Sequence, residues 1–236
     1  MSLEDKVVLI TGANGGLGIA LVEYAISSGA KKIYCYARKT DKLQKLQQNN
    51  PNLIIEIVDI TDKSRVEEVA LTIEHIDILI NNAGANSGKI VFDDEKIDFE
   101  VNLFGTLNIC RSFENKINKN GAIINITSVA ALVNFPIMGL YSASKAALHS
   151  VTQALRAHMA LKEIEVYEVF PGPIDTDMVK DLDMPKTSAS DIAKEIFTSF
   201  AKKEYEIYPD SFAKMVQESL LNNPKSIESE FAKSIL

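Results

Sequence analysis

Lys6-Val7-Val8-Leu9-Ile10-Thr11-Gly12-Ala13-Asn14-Gly15-Gly16-Leu17-Gly18 joins a β-branched apolar run to a glycine cluster, and a helical pattern follows over residues 17–28. A buried strand, a tight turn and a helix, in that order, open a βαβ unit. Glycines allow the tight turn and let backbone come close to a pyrophosphate. The helix N-terminus adds N–H donors and the positive end of its dipole. Gly12, Asn14, Gly15, Gly16, Leu17 and Gly18 are therefore candidate contacts for a dinucleotide. The plainer reading is an ordinary glycine-rich turn.

Working outward, the rhythm continues. Residues 32–36, 53–58, 76–80, 122–126, 166–170 and 205–208 read as further strands. Helical patterns fall at 43–48, 63–73, 99–118, 142–161 and 189–201, with Thr61 or Asp62 as the N-cap of the second of these. Near-continuous apolar strands alternating with helices predict an α/β fold: a doubly wound parallel sheet of about seven strands with helices on both faces. No repeat, linker or low-complexity tract interrupts it, so residues 1–236 are expected to be one domain, ending in a polar helical extension over about 210–236.

The 236 residues are 46% apolar and 24% charged, which is ordinary globular material. A net charge of −7 argues against nucleic acid or an anionic membrane as the main partner. Met1-Ser2-Leu3-Glu4-Asp5-Lys6 lacks the pattern of a secretory signal, and the most apolar region, 121–141, is broken by Asn125, Asn134 and Pro136. Two distant cysteines, Cys35 and Cys110, form neither a disulfide framework nor a metal motif, and a cytoplasmic setting fits.

Three positions suggest chemistry. The second strand ends Tyr36-Ala37-Arg38-Lys39. An acidic residue there bonds a ribose 2′-hydroxyl and repels a 2′-phosphate, whereas Arg38 can pair with one. Tyr141-Ser142-Ala143-Ser144-Lys145 places Tyr and Lys four apart at a helix start, on one face. A free tyrosine titrates near about 10, and a neighbouring ammonium brings it toward useful acidity. Ser128 ends the fifth strand, at the carboxyl edge where α/β sheets bind ligands, and its hydroxyl can bond a carbonyl oxygen.

Together these motifs resemble the short-chain dehydrogenase/reductase family, in its compact single-domain branch with a Rossmann-type sheet. The carriers are Thr-Gly-x-x-x-Gly-x-Gly at 11–18, Ser128 set 13 residues before Tyr141, and Tyr-x-x-x-Lys. The resemblance implies NADP(H) as cofactor, marked by Arg38. It places Asp59 and Ile60 near the adenine, Ala83 and Gly84 of Asn81-Asn82-Ala83-Gly84 along the cofactor wall, and Asn82 there with a structural tie as well. Pro171, Gly172, Ile174 and Thr176 would lie toward the nicotinamide, with Tyr141 and Lys145 also touching cofactor. It implies a catalytic set of Asn102, Ser128, Tyr141 and Lys145, in which Asn102 holds a water linked to the lysine. The expected activity is reduction of a ketone, aldehyde or quinone-like carbonyl to an alcohol. A non-catalytic NADP-binding regulator on the same fold is the alternative.

The segments 84–102 and 173–191 are short for the family, which predicts a small lid and an open mouth. Ala130, Leu132, Phe135 and Met138 are the candidate substrate-pocket residues, and their apolar character points to a small hydrophobic carbonyl or alcohol partner. Phe212, Met215, Val216, Leu220 and Leu221, at helical spacing, are expected to pack on the body or on a partner, and a homodimer or homotetramer is compatible with them. His75, His149 and His158 lack ligand-like companions, so they read as surface or structural residues and no metal is expected.

Overall fold

The apolar runs become the strands of one parallel sheet. In the computed structural model, which describes residues 3–180 and 183–235, they are β1 (Val7–Thr11), β2 (Lys32–Ala37), β3 (Leu53–Ile57), β4 (Ile76–Asn81), β5 (Ile117–Ile126), β6 (Glu165–Val169) and β7 (Glu206–Ile207). Met1 and Ser2 of the expected N-terminal segment, Asp181 and Leu182 of the lid segment and Leu236 of the extension lie outside the described residues. The sheet order is β3-β2-β1-β4-β5-β6-β7. Every residue of β1 is buried, as the middle of a sheet covered on both faces requires.

Helices fill both faces. On one side α1 (Gly16–Ser27) and α7 (Ala189–Ala201) press Leu21, Val22, Ile192, Ile196 and Phe200 onto the strands, and Tyr24 stacks on Phe197 at 4.5 Å. On the other, α3 (Lys63–Leu71), α5 (Thr106–Phe113) and α6 (Gly139–Ala160) contribute Val66, Val69, Ile109, Phe113 and Met159. α2 (Asp41–Gln47) follows β2, and a single turn, α4 (Ile97–Phe99), precedes α5. A third apolar cluster docks α8 (Ser211–Asn222) and α9 (Pro224–Ala232) through Ala213, Val216, Ile227 and Phe231 against Val129, Val133 and Phe170. No helix among the described residues is long and apolar enough to cross a membrane.

One element departs from expectation. The helix predicted over 99–118 starts at Ile97, runs through a π-helical turn at Glu100–Gly105 and stops at Phe113. Its expected last turn is strand instead. Ile117 pairs with Ile76, the Ile76 N–H donates to the Lys116 carbonyl at 2.9 Å, and Asn118 Nδ2 donates to Asp77 Oδ1 at 2.9 Å. Asn115, Asn118 and Asn120 are weak helix formers, and pairing with β4 outweighs the helical pattern.

β1 and β4 lie side by side but send their following chains to opposite sides of the sheet. This reversal opens a crevice at the carboxyl ends, the usual ligand position in such sheets. The extension is fastened to the same edge. Asp210, nearly buried, caps α8 by accepting the Ala213 N–H and also accepts the Gly172 N–H, each at 2.8 Å. Asp210→Ala removes both bonds and should lower unfolding stability by about 1–2 kcal/mol, with Asp210→Asn losing less. Urea denaturation checks this, and an unshifted midpoint would mean the two bonds do not hold the extension.

Candidate active site

The glycine turn is built by exclusion and by hydrogen bonds. Gly12 has φ +62°, and a Cβ there would lie 2.7 Å from Ala83 Cα. At Gly18 a Cβ would lie 2.2 Å from the Gly12 carbonyl oxygen, so the first turn of α1 can only close on a glycine. Thr11 Oγ1 accepts the N–H groups of Asn82 at 3.0 Å and Ala83 at 3.1 Å. Asn82 Nδ2 donates back to the carbonyls of Thr11 at 3.0 Å and Gly12 at 3.2 Å. Asn14 reaches the other way: its Oδ1 accepts the Lys42 and Leu43 N–H groups at 3.0 and 3.3 Å, tying the turn to α2.

A cleft of about 760 Å³ lies over this turn. The expected dinucleotide contacts all line it: the turn residues from Gly12 to Gly18 named above, Arg38, Asp59 and Ile60, Asn82 to Gly84, Tyr141 and Lys145, and Pro171, Gly172, Ile174 and Thr176. Lys39, a weaker candidate than Arg38 in the sequence, also lines it, as do Val58, Val101, Thr127, Met178 and Val179, which were not singled out there. Arg38 and Lys39 are exposed and have no ion pair among the described residues. Asp59 does not cap α3. Its Oδ1 accepts from the Thr61 N–H at 3.0 Å and hydroxyl at 2.8 Å, while Asp62 caps the helix through the Arg65 N–H at 3.0 Å.

The residues expected to do chemistry meet at one end of the cleft. Ser128 follows β5 and caps the 3-10 turn Val129–Ala131, its Oγ accepting the Ala130 N–H at 3.1 Å. Tyr141 and Lys145 share a face of α6, with Nζ 5.8 Å from the phenol ring centroid. Lys145 is 4% exposed and donates to the Ile126 carbonyl at 2.8 Å. Burial pushes the Tyr141 hydroxyl up to about 12, with the Ser128 hydrogen bond pulling it down and the Asp98 charge pushing it up. Asp98 is itself buried and accepts hydrogen bonds from the Ser87 N–H and hydroxyl. Burial pulls Lys145 down to about 8, opposed by the Glu168 carboxylate.

Asn102 sits in the π-helical turn, wholly buried. Its Nδ2 donates to the Ala85 carbonyl and the Ser144 hydroxyl, each at 2.9 Å, and its Oδ1 accepts the Ala85 N–H at 2.8 Å. The side chain thus clamps the segment after β4 to α6. Its Oδ1 and Lys145 Nζ both border Gly84, where a Cβ would lie 3.2 Å from the one and 3.7 Å from the other.

A smaller apolar cavity of about 70 Å³ adjoins the cleft. Ala130, Phe135 and Met138 line it as expected, but Leu132 does not. Leu132 closes the Val129–Ala131 turn and packs into the third apolar cluster instead. The lining also includes Asn86, Met178, Met184, Phe212 and Phe231. Phe231 meets Phe135 edge to face at 5.0 Å, so the C-terminal helices supply part of the cavity wall. Of the extension's apolar stripe, Phe212 reaches the cavity, Val216 is core, and Met215 and Leu221 are exposed. His149, expected to be a surface or structural residue, pairs with Glu168 of β6 at 3.0 Å. No group of His, Cys, Asp or Glu among the described residues could hold a metal ion.

The profile of the short chain dehydrogenase family matches residues 6–187. The chain belongs to this family, and it is an oxidoreductase. It is 33% identical to an uncharacterized oxidoreductase of Staphylococcus saprophyticus over 82% of this chain and 90% of that one. It is 29% identical to the NADPH-dependent 1-acyldihydroxyacetone phosphate reductase of Saccharomyces cerevisiae over 96% of this chain and 82% of that one. A short chain dehydrogenase from Burkholderia cenocepacia, solved in complex with NADP, superposes with a TM-score of 0.91 at 33% identity, covering 98% of this chain and 99% of that one.

Because Gly18 touches backbone rather than a movable side chain, Gly18→Ala must displace the turn. Dinucleotide affinity, read by NADPH fluorescence titration, should fall roughly tenfold or more. Unchanged affinity would mean that the turn does not carry the pyrophosphate.

Proposed function

We propose that this short-chain dehydrogenase is an NADPH-dependent carbonyl reductase acting on a hydrophobic ketone, aldehyde or quinone. The observation that carries the reading is that Ser128, Tyr141 and Gly172 line both the cleft and the apolar cavity. A carbonyl whose apolar end fills the cavity would therefore present its oxygen to two hydroxyls at the cleft.

The cleft fits a nicotinamide dinucleotide. Gly12 and Gly18 let the turn close tightly on its own backbone, and the N-terminus of α1, which has no side-chain cap, borders the cleft. Arg38 would hold a 2′-phosphate, Asp59 and Ile60 would border the adenine, and Lys145 would hold the nicotinamide ribose. When bound, the nicotinamide supplies the hydride. Ser128 donates a hydrogen bond to the substrate oxygen. Tyr141, still protonated at neutral pH, transfers its hydroxyl proton to that oxygen, and the Lys145 ammonium steadies the phenolate left behind. Asn102 ties Ala85 to Ser144 of α6, the helix that carries Tyr141 and Lys145. The yeast relative's name supports both the cofactor and an acylated ketone as the kind of substrate an apolar cavity favours. Retention of both Tyr141 and Lys145 favours catalysis over a purely regulatory role. We read the chain as one cofactor-binding domain whose last helices close the substrate end.

Initial rates with NADPH and NADH against hydrophobic ketones, aldehydes and quinones test the proposal. Stoichiometric NADPH consumption is expected. Tyr141→Phe should cut turnover by about a thousandfold with NADPH binding retained. Full activity in that variant would sink the mechanism. Arg38→Ala should weaken NADPH preference over NADH by roughly ten- to a hundredfold. Lys145 carries its charge below its titration at about 8, so the reduction rate should hold near neutrality and decline above that pH.

A further inference from the structure

Among the described residues, the inner cavity has three polar side chains in a wall that is otherwise apolar: Ser128, Tyr141 and Asn86. The first two also line the cleft, where the reacting carbonyl would sit. Asn86 lines the inner cavity alone.

The Asn86 side chain is held in one orientation. Its Oδ1 accepts the Gly88 N–H at 3.0 Å, and a backbone N–H can be met only by the oxygen end of the amide. Nδ2 is thereby turned to Met138, another residue of the cavity wall, with Sδ at 3.6 Å. A thioether is a weak acceptor and an amide nitrogen carries two hydrogens, so the donor side of Asn86 is poorly satisfied within the protein. The backbone on either side is fixed. Ala85 exchanges two hydrogen bonds with the buried Asn102, at 2.8 and 2.9 Å. Ser87 gives its N–H, at 2.9 Å, and its hydroxyl to the buried Asp98. A donor anchored in this way meets a ligand at little ordering cost.

The cavity chemistry narrows what that ligand group is. A hydrocarbon tail would strip water from the amide and leave it only the sulfur, which penalises binding. A carboxylate or phosphate would be buried without a cation, since no Lys or Arg lines the cavity among the described residues. An uncharged oxygen satisfies the donor and brings no charge. The cavity holds about 70 Å³, so Asn86 and the two hydroxyls serve one small group of atoms.

We propose that Asn86 is a specificity residue whose amide donates to a second, uncharged oxygen of the substrate, a few bonds from the carbonyl held by Ser128 and Tyr141. The preferred substrates are then keto esters, diketones and similar compounds rather than simple hydrocarbon ketones. The proposal rests on the reading of this chain as a carbonyl reductase and narrows its substrate class.

The test compares ethyl acetoacetate with methyl pentyl ketone, which has the same chain length and no second oxygen, as the ratio of their kcat/KM values. Damage common to both substrates cancels in that ratio. Asn86→Asp keeps an oxygen for the Gly88 N–H but cannot donate, and should lower the ratio about tenfold, the weight of one hydrogen bond. Asn86→Ala should lower it by a similar factor, and Asn86→Asp carries the test alone if the alanine variant does not fold. A ratio equal to the parent's in folded Asn86→Asp means that Asn86 only shapes its turn, and overturns the proposal. Acetoacetate, the corresponding anion, should be poorer than its ester, and a preference for the anion overturns the proposal as well. A second readout needs no turnover. With NADP+ in place of NADPH, the Asn86 side-chain NH2 signals of 15N-labelled protein, assigned by their absence from Asn86→Asp, should shift on titration with ethyl acetoacetate and much less with methyl pentyl ketone. Equal or absent shifts overturn the proposal. An ester-selective shift in a protein that oxidises NADPH with neither ketone upholds the Asn86 donor and removes the reductase reading instead.

Discussion

The four hydrogen bonds exchanged between the Thr11-Gly12 and Asn82-Ala83 segments set the rest of the site. They join the carboxyl ends of β1 and β4 at the place where the sheet reverses its winding. One threonine hydroxyl and one asparagine amide satisfy backbone groups that two departing loops would otherwise leave open. With the two ends locked, Gly12 is pressed against Ala83, α1 starts in a defined direction, and Gly84 is brought to the border of Lys145. The cleft follows from that lock rather than from any single residue on its wall.

A second constraint runs across the sheet. Asn81 Nδ2 donates to Asn125 Oδ1 at 2.8 Å, Asn125 Nδ2 donates to Thr152 Oγ1 at 2.9 Å, and Thr152 donates to the Leu148 carbonyl at 2.8 Å. These groups are buried. A buried polar chain adds little net stability but penalises every misalignment of its members. It therefore fixes the height of α6 against β4 and β5, and with it the reach of Tyr141 and Lys145. Ile126 receives Lys145 from the end of the same strand.

The sheet was legible because its strands are continuous apolar runs and its turns carry glycine or proline at the changes of direction. The cleft was legible because its contacts come from short contiguous motifs at strand ends. What the sequence hid has physical causes. The start of β5 was masked because Ile117 gains strand character only by pairing with Ile76, a partner distant in sequence. Leu132 and Ala130 are near neighbours in an apolar stretch, and only the tight turn between them sends one to the core and the other to the cavity. Phe231 gives no local sign of its place on the cavity wall, since that depends on how α8 and α9 fold back. Glu168 reads as an interruption of an apolar strand, and its meaning appears only when His149 and Arg156 arrive from a different element.

The order of residues along the chain divides the site into two parts. The lining of the large cleft is complete by Val179, and the sheet that carries it by Ile207, whereas the aromatic wall of the inner cavity waits for Phe212 and Phe231. Asp210 is the hinge between these parts, one carboxylate gripping both the earlier loop at Gly172 and the first turn of the later helix. Losing the helices beyond this point would strip the chamber of its aromatic wall and uncover Val129, Val133 and Phe170, the apolar side chains on which those helices pack.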